Sequence, residues 1–321
     1  MKPFVHVQTG DLQAALKAGA KGSHFKAGGV DLIDRLKERV EAPDRLTSVV
    51  GISALRGIRP TASSLSIGAA CTLSEVAASA DVGRALSVVA HAAGEAATPQ
   101  IRNMATVGGN LLQRPRCAYW RSRHFHCLKK GGATCFAVEG EHDTHAVFGG
   151  GPCHIVHPSN LAPALVAVSA KLVLEHARNG RRSIAAEAFF VGPQKRLDGE
   201  NLLAPGELLT EVRVDALPAA SGYAEVRHKQ SFDWPLATAA VARFGTTWRV
   251  VLGAVAPTPW RAVGAEAILN QAGQAPDEGA IAKAAEAAVR GAKPLPRAAW
   301  RLELVKTVVR RAVVAARGAK P

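Results

Sequence analysis

Lys26-Ala27-Gly28-Gly29-Val30-Asp31-Leu32 leads from an extended segment through a glycine pair into a helix start, and about eighty residues later Ala105-Thr106-Val107-Gly108-Gly109-Asn110-Leu111 repeats the device. Paired glycines let a backbone approach a ligand closely, and successive N–H groups at a helix start form a nest for phosphate oxygens. Neither segment is a GxGxxG fingerprint or a Walker loop, and either one alone also reads as a tight turn. Around the first pair, Asp11 is placed to cap a helix to about Lys17, and residues 23–26 form a short strand. Residues 31–39 follow as a helix striped by Leu32, Ile33 and Leu36, and residues 46–50 as a second strand. This predicts a small α/β unit over residues 1–57.

A larger mixed unit is expected over residues 58–216. Residues 64–69 alternate like a strand, and Thr72-Leu73-Ser74-Glu75 carries a hydroxyl cap with an acid three residues on. One helix is expected over residues 84–94, irregular Gly- and His-rich chain over residues 113–157, and strands at residues 170–175 and 206–214. The Pro/Ala/Ser/Gly stretch 217–222 is expected to be a boundary. Beyond it, residues 217–321 predict an α/β domain with strands at 239–244 and 248–255 and helices near 262–270, 281–289 and 300–316. On the last helix Leu302, Val305, Val309, Ala312, Val313 and Ala316 share a face, with Lys306, Arg310 and Arg317 largely off it. That is the pattern of an amphipathic helix on its own domain, or of a basic surface for an acidic partner.

The 321 residues are 48% hydrophobic and 21% charged, with 30 Gly and 18 Pro, which excludes wholesale disorder. No apolar run approaches the ~18 residues of a membrane span. The first residues show no signal-peptide core. Cytosolic residence and export alongside a signal-bearing partner both stay open. The formal charge of +14 is uneven: nine basic residues and one acid lie from Arg290 onward, and residues 96–138 are acid-free. Such a balance suggests nucleic acid. Against that, no nucleic-acid module is present, and aromatics are only 5%, sparse for base stacking.

Cys117, Cys127, Cys135 and Cys153 crowd into one segment, with six of the eleven histidines in or just beyond it, while Cys71 stands apart as a small buried hydrophobe. With nine, seven and seventeen residues between them, they match neither zinc-ribbon nor ferredoxin spacing. An iron–sulfur cluster, structural zinc and unligated buried thiols are the readings the residues allow. Six basic residues between Arg114 and Lys130 are expected to favour thiolates and offset a cluster's negative charge. The histidines (His124, His126, His142, His145, His154, His157) read as surface or supporting residues rather than ligands.

Taken together, the two glycine segments resemble the two FAD loops of the molybdenum hydroxylase flavoprotein subunits, the FAD modules of xanthine dehydrogenase, carbon monoxide dehydrogenase and aldehyde oxidoreductases. The resemblance extends to Ile67-Gly68-Ala69-Ala70-Cys71-Thr72-Leu73-Ser74-Glu75, to Pro158-Ser159-Asn160-Leu161-Ala162-Pro163-Ala164-Leu165, and to the strand near residues 206–214. It implies an α+β fold: a two-part FAD-binding module, then a C-terminal α/β domain of the carbon monoxide dehydrogenase flavoprotein type. It implies that Lys26, Ala27, Gly28, Gly29, Val30, Asp31, Leu32 and Ile33 wrap the FAD pyrophosphate. Thr106, Gly109 and Asn110 would contact pyrophosphate or ribityl oxygens, and Asn160, usually Asp in the family, would lie near the adenosine end. Val30 stands where Thr or Asn is commoner. Residues 225–233 resemble the stretch near the flavin ring, with no single cation assigned.

The roughly forty residues inserted after the second glycine pair resemble the 4Fe–4S loop of periplasmic aldehyde oxidoreductase and 4-hydroxybenzoyl-CoA reductase flavoprotein subunits. By that resemblance Cys117, Cys127, Cys135 and Cys153 are the cluster ligands. No acid–base dyad or nucleophile–base pair is evident, consistent with chemistry carried by a cofactor. The implied role is an FAD- and 4Fe–4S-binding electron-transfer subunit. Its partners would be a molybdenum-cofactor-binding large subunit and a 2Fe–2S small subunit, oxidising aldehydes or N-heterocycles. A stand-alone flavin oxidase and a zinc-stabilised nucleic-acid-binding protein are the alternatives.

Overall fold

The computed structural model describes residues 1–19, 22–229 and 232–318. Gln230 and Ser231 of the 225–233 stretch, and Lys320 of the basic tail, lie outside the described residues. The first unit is a parallel three-stranded sheet of β1 (Val5–Gln8), β2 (Ser23–Lys26) and β3 (Arg45–Ser48) in the order β1-β3-β2. Parallel neighbours need crossovers, supplied here by helices Leu12–Ala18 and Val30–Lys37. The Asp11 carboxylate accepts the Ala14 N–H at 2.6 Å, as its position predicts. Leu32 and Leu36 bury against Leu46 of β3, with Ile33 half-buried beside them.

The second sheet is antiparallel, β4 (Ile58–Pro60), β5 (Leu65–Gly68), β6 (Lys171–His176), β7 (Gly180–Ala185) and β8 (Leu208–Val214), in the order β4-β5-β8-β6-β7. About a hundred residues leave the sheet after β5 and return at β6, and this excursion builds much of the functional region. Thr72 and Glu75 form the expected capping box on helix Leu73–Ala78. The single helix expected over residues 84–94 is two helices, Ala80–Ala85 and Ser87–Glu95, broken at Leu86. The second starts afresh because Ser221 caps it from outside: its hydroxyl accepts the Val88 N–H at 3.2 Å and meets the Ser87 hydroxyl at 2.8 Å. Residues 161–167 form helix Leu161–Ala167, ahead of the strand expected at 170–175; Pro163 sits in its first turn, where no N–H is required.

The third sheet, β9 (Ala220–Arg227), β10 (Pro235–Phe244), β11 (Thr247–Gly253) and β12 (Trp260–Arg261), is antiparallel in the order β12-β11-β10-β9. Helices Val263–Ala272, Glu278–Ala288 and Arg301–Gly318 join it in one core. The stretch expected as a boundary is therefore partly strand. Its small residues reflect packing: a methyl on Gly222 would fall 2.3 Å from the Ala312 carbonyl oxygen of the last helix. Val305, Val309, Ala312, Val313 and Ala316 are buried as expected, Val308 joins them, and Leu302 is only half-buried. Among the described residues no helix is long and apolar enough to cross a membrane.

Candidate functional site

Gly29 takes a left-handed backbone (φ 78°) at the start of helix Val30–Lys37, with no side-chain cap on that helix. A side chain at that φ is costly, and the uncapped start leaves N–H groups for a ligand. Gly28 touches the second glycine segment directly: a methyl there would lie 1.7 Å from the Met104 carbonyl oxygen. That segment is not a simple loop. Helix Pro99–Met104 ends just before it, and Val107–Leu111 is a short helix whose Thr106 cap accepts the Gly109 N–H at 3.1 Å. Three backbone hydrogen bonds strap it to the 69–73 turn: Val107 N–H to Cys71 O (2.9 Å), Gly108 N–H to Ala69 O (2.8 Å) and Leu73 N–H to Ala105 O (2.8 Å).

The two segments face one cleft of about 420 Å³, within the usual range for a cofactor or small-molecule site. Asn110 also ties the cleft to the 158–165 motif, since its Oδ1 accepts the Ser159 hydroxyl at 2.6 Å and the Leu161 N–H at 3.4 Å. Asn160 lines the cleft but uses its amide NH2 on Tyr223 OH (3.4 Å) and the Glu225 carboxylate (3.2 Å). Burial raises the Glu225 carboxyl above its ordinary value despite the Tyr223 hydroxyl and Arg227 beside it.

Four basic residues of the insertion are paired with carboxylates rather than with thiols. Asp31 receives Arg121 at 2.6 Å, Arg35 at 3.0 Å, Arg116 at 3.1 Å and the Arg114 N–H at 3.1 Å. Glu41 takes Arg114 and Arg35, and Glu200 takes Arg114 at 3.1 Å and Lys129 at 2.5 Å. Lys130 donates to the Tyr119 and Ser122 carbonyls. These cations thus hold the insertion onto the rest of the chain, through Asp31, Asp34 and Glu41 of the first unit and Glu200 of the second, and the Lys129 charge also favours the Cys153 thiolate. Lys129 alone of them also lines the cysteine site.

That site is a small void, about 10 Å³, ringed by Cys117, Cys127, Cys135 and Cys153 together with Trp120, Lys129 and Ile155. All four thiols are free. The hydrogen bond with Cys153 lowers the Cys135 thiol below its ordinary value, while that same contact and burial raise the thiol of Cys153. Burial raises Cys117. Among the described residues no three His, Cys, Asp or Glu side chains are already drawn around a single metal ion. The guanidinium groups of Arg114 and Arg121 lie 4.7 and 5.1 Å from the Trp120 ring, linking the void to the Asp31 network at the cleft.

Residues 3–217 match the family described as the FAD binding domain in molybdopterin dehydrogenase, and residues 222–316 match the carbon monoxide dehydrogenase flavoprotein C-terminal domain. This chain belongs to the FAD-binding medium subunits of the molybdenum hydroxylases. It is 36% identical over 284 residues to the aldehyde oxidoreductase FAD-binding subunit PaoB of Escherichia coli, covering 86% of this chain and 88% of that one. It is 32% identical over 291 residues to the carbon monoxide dehydrogenase medium chain of Hydrogenophaga pseudoflava, covering 88% and 84%. The solved carbon monoxide dehydrogenase of that organism superposes with a TM-score of 0.75 at 29% identity over 98% of both chains.

The residues of the cleft fit an FAD: an uncapped helix start, glycines pressed against backbone, and mixed polar and apolar walls. Lys26, Ala27, Gly28, Gly29, Val30, Asp31, Leu32, Thr106, Gly109, Asn110 and Asn160 all line the cleft, whereas Ile33 does not and packs in the small core beneath. Sequence reasoning missed Thr98, Gln113, Arg116, Trp234 and Pro235, whereas Phe232 and Asp233, which line the cleft beside them, fall within the 225–233 stretch read as lying near the flavin ring. Arg116 lies over the Trp234 ring at 4.6 Å, so the insertion and the third sheet meet at the cleft wall. An arginine next to Cys117 in a segment read as a metal loop gave no sign of facing the other site.

Proposed function

We propose that this oxidoreductase flavoprotein is the FAD- and 4Fe–4S-carrying electron-transfer subunit of a heteromeric molybdenum hydroxylase. Its partners in this reading are a molybdenum-cofactor-binding large subunit and a 2Fe–2S small subunit, and the complex oxidises aldehydes or N-heterocycles. The likeness to an aldehyde oxidoreductase subunit favours aldehydes. The domain division is 1–57, 58–216 and 217–321, supported by one sheet falling within each. The chemistry a bound flavin supplies is the exchange of electrons one or two at a time between iron–sulfur centres and an acceptor. The chain's own residues position and screen: the helix start at Gly29 offers N–H groups to a pyrophosphate, Thr106 and Asn110 fix the second glycine segment, and the Arg116–Trp234 contact walls one side.

Four free thiols ringing one void, joined through Trp120 and Arg121 to the wall of the glycine cleft, carry this reading. Thiolates are the donors an iron–sulfur cluster takes. Cys117, Cys127, Cys135 and Cys153 would hold it once the Cys135–Cys153 contact opens. The test is purification of the native complex with flavin, molybdopterin, iron and sulfide analysis, alongside serine variants. This chain's cluster is expected to add about four iron and four sulfide per FAD to those carried by the 2Fe–2S subunit. That content should fall in each of Cys117→Ser, Cys127→Ser, Cys135→Ser and Cys153→Ser and persist in Cys71→Ser. Zinc in place of iron, or equal iron in all five variants, refutes the cluster.

A further inference from the structure

We propose that His145 is a positioning residue that donates an Nε2–H hydrogen bond to the Cys117 sulfur and thereby sets the reduction potential of the centre held by the four cysteines. The inference rests on the 4Fe–4S reading. His145 is buried, and its Nε2 lies 3.4 Å from Cys117 Sγ, within reach for sulfur, whose larger radius lengthens its hydrogen bonds. A ligating thiolate has lone pairs and no proton, so the neutral ring must place its one N–H on Nε2. Consistent with this, the buried Nδ1 has no partner among the described residues.

The ring is held from its backbone. The His145 N–H donates to the His142 carbonyl at 3.0 Å, and the His145 carbonyl accepts Arg301 Nη1 at 2.5 Å. Arg301 is only 1% exposed and also donates to the Leu236 and Ala254 carbonyls, so the C-terminal domain grips this turn. Other donors to the thiols are backbone N–H groups: Tyr119 and Trp120 on Cys117, Ala137 and His154 on Cys135, Ile155 on Cys153. Those come from the backbone of other residues and do not depend on the His145 side chain. Among the described residues His145 is the one non-cysteine side chain that donates to any of the four thiols.

One electron enters the centre on reduction and no bond is made or broken, so the site gains one negative charge, shared onto its sulfurs. A hydrogen bond to sulfur stabilises the more negative state and raises the potential. Removing it should make reduction harder by up to tenfold, equal to ~59 mV for one electron. The test is a dithionite titration of the reconstituted FAD-loaded full chain, followed by electron paramagnetic resonance, for wild type, His145→Phe and His145→Gln. A lower midpoint in His145→Phe, recovered in part by the donor-bearing His145→Gln, with an unchanged flavin midpoint, supports the proposal. Equal midpoints, or identical shifts in both variants, overturn it.

Should His145→Phe fail to fold, wild type and His145→Gln labelled with 15N-imidazole histidine keep the test decisive. A nitrogen coupling to the reduced centre in wild type that is lost in His145→Gln supports the hydrogen bond; no such coupling in wild type overturns it. Wild type that retains no iron and sulfide fails at the preceding reading, whereas a loaded cluster indifferent to His145 fails here alone.

Discussion

Replacing Gly28 by Ala should weaken FAD binding without dissolving the fold. A methyl at Gly28 would stand 1.7 Å from the Met104 carbonyl oxygen and 2.7 Å from its carbon, and an ordinary contact of about 3.4 Å requires the two segments to part by about 1.7 Å. Met104 meets the methyl with backbone, and the three hydrogen bonds from Leu73, Val107 and Gly108 anchor the chain behind it, so no flexible side chain absorbs the clash. Overpacking of this kind costs about 1–3 kcal/mol. If that cost falls on the FAD-competent form, the dissociation constant rises roughly 5- to 150-fold. Gly109→Ala meets only the Thr106 hydroxyl at 3.0 Å, and Gly10→Ala meets nothing within 4 Å. Titration calorimetry of FAD into flavin-free protein should rank the losses Gly28→Ala, then Gly109→Ala, then Gly10→Ala, with circular dichroism confirming folded protein throughout. A Gly28→Ala protein that binds FAD within twofold of wild type refutes the claim that these two segments share one ligand.

Arg301→Met should be among the most damaging single changes away from the cleft. Burial pushes the guanidinium down to about 10, still charged at neutral pH, and its loss strands the Leu236, His145 and Ala254 carbonyls in the interior. At about 1–3 kcal/mol for each orphaned acceptor, calorimetry should show a melting temperature lower by at least roughly 6 °C, against almost no change for exposed Arg311→Met; a shift under 2 °C refutes the bracing role. Glu41→Gln tests the clamp between insertion and module by pH. Burial raises the Glu41 carboxyl, but the His24 hydrogen bond and the Arg35 and Arg114 charges outweigh it and hold it well below the carboxylate range. A depressed folded value means the stabilisation is present above the unfolded value, near 4.5, and is lost as pH falls through it toward the folded one. The melting temperature of wild type should therefore fall more steeply than that of Glu41→Gln between about pH 5 and pH 3, and parallel curves refute the clamp.

Features written in local chemistry were legible in the sequence. Asp11, Thr72 with Glu75, and the Leu32–Leu36 stripe announce helix starts and a buried face within a few residues, and the structure has them. What escaped was decided from a distance. Nothing near Leu86 says that Ser221, more than a hundred residues away, will cap a new helix there. Ala220-Ser221-Gly222 reads as a linker because smallness is ambiguous: the same residues make a flexible joint or let a helix lie close on a strand. The cleft was legible because the two glycine pairs, each ambiguous alone, together signal two backbone segments approaching one ligand. Its Arg116–Trp234 wall was not, since the two residues come from segments with separate apparent purposes.

The charge balance shows why composition points to a partner class only weakly. Arg114, Arg116, Arg121 and Lys129 come from an acid-free run, yet each is matched by Asp31, Asp34, Glu41 or Glu200 from other segments. In the basic tail Arg297 pairs with Glu141 and Asp143, Lys306 with Glu286 and Glu303, and Arg317 with Glu278, while Arg301 serves three carbonyls. These acids lie far off in sequence or were outnumbered locally, so a window-based count records an excess that folding largely spends internally. Exposed pairs such as Arg297–Glu141 add little stability. The less exposed set around Asp31 and Glu41 is different in kind, because stripping any one acid leaves two or more guanidinium groups facing each other in a half-buried space. The insertion is therefore docked by electrostatics that depend on the whole set, and this docking brings Arg116, directly before Cys117, to the wall of the glycine cleft.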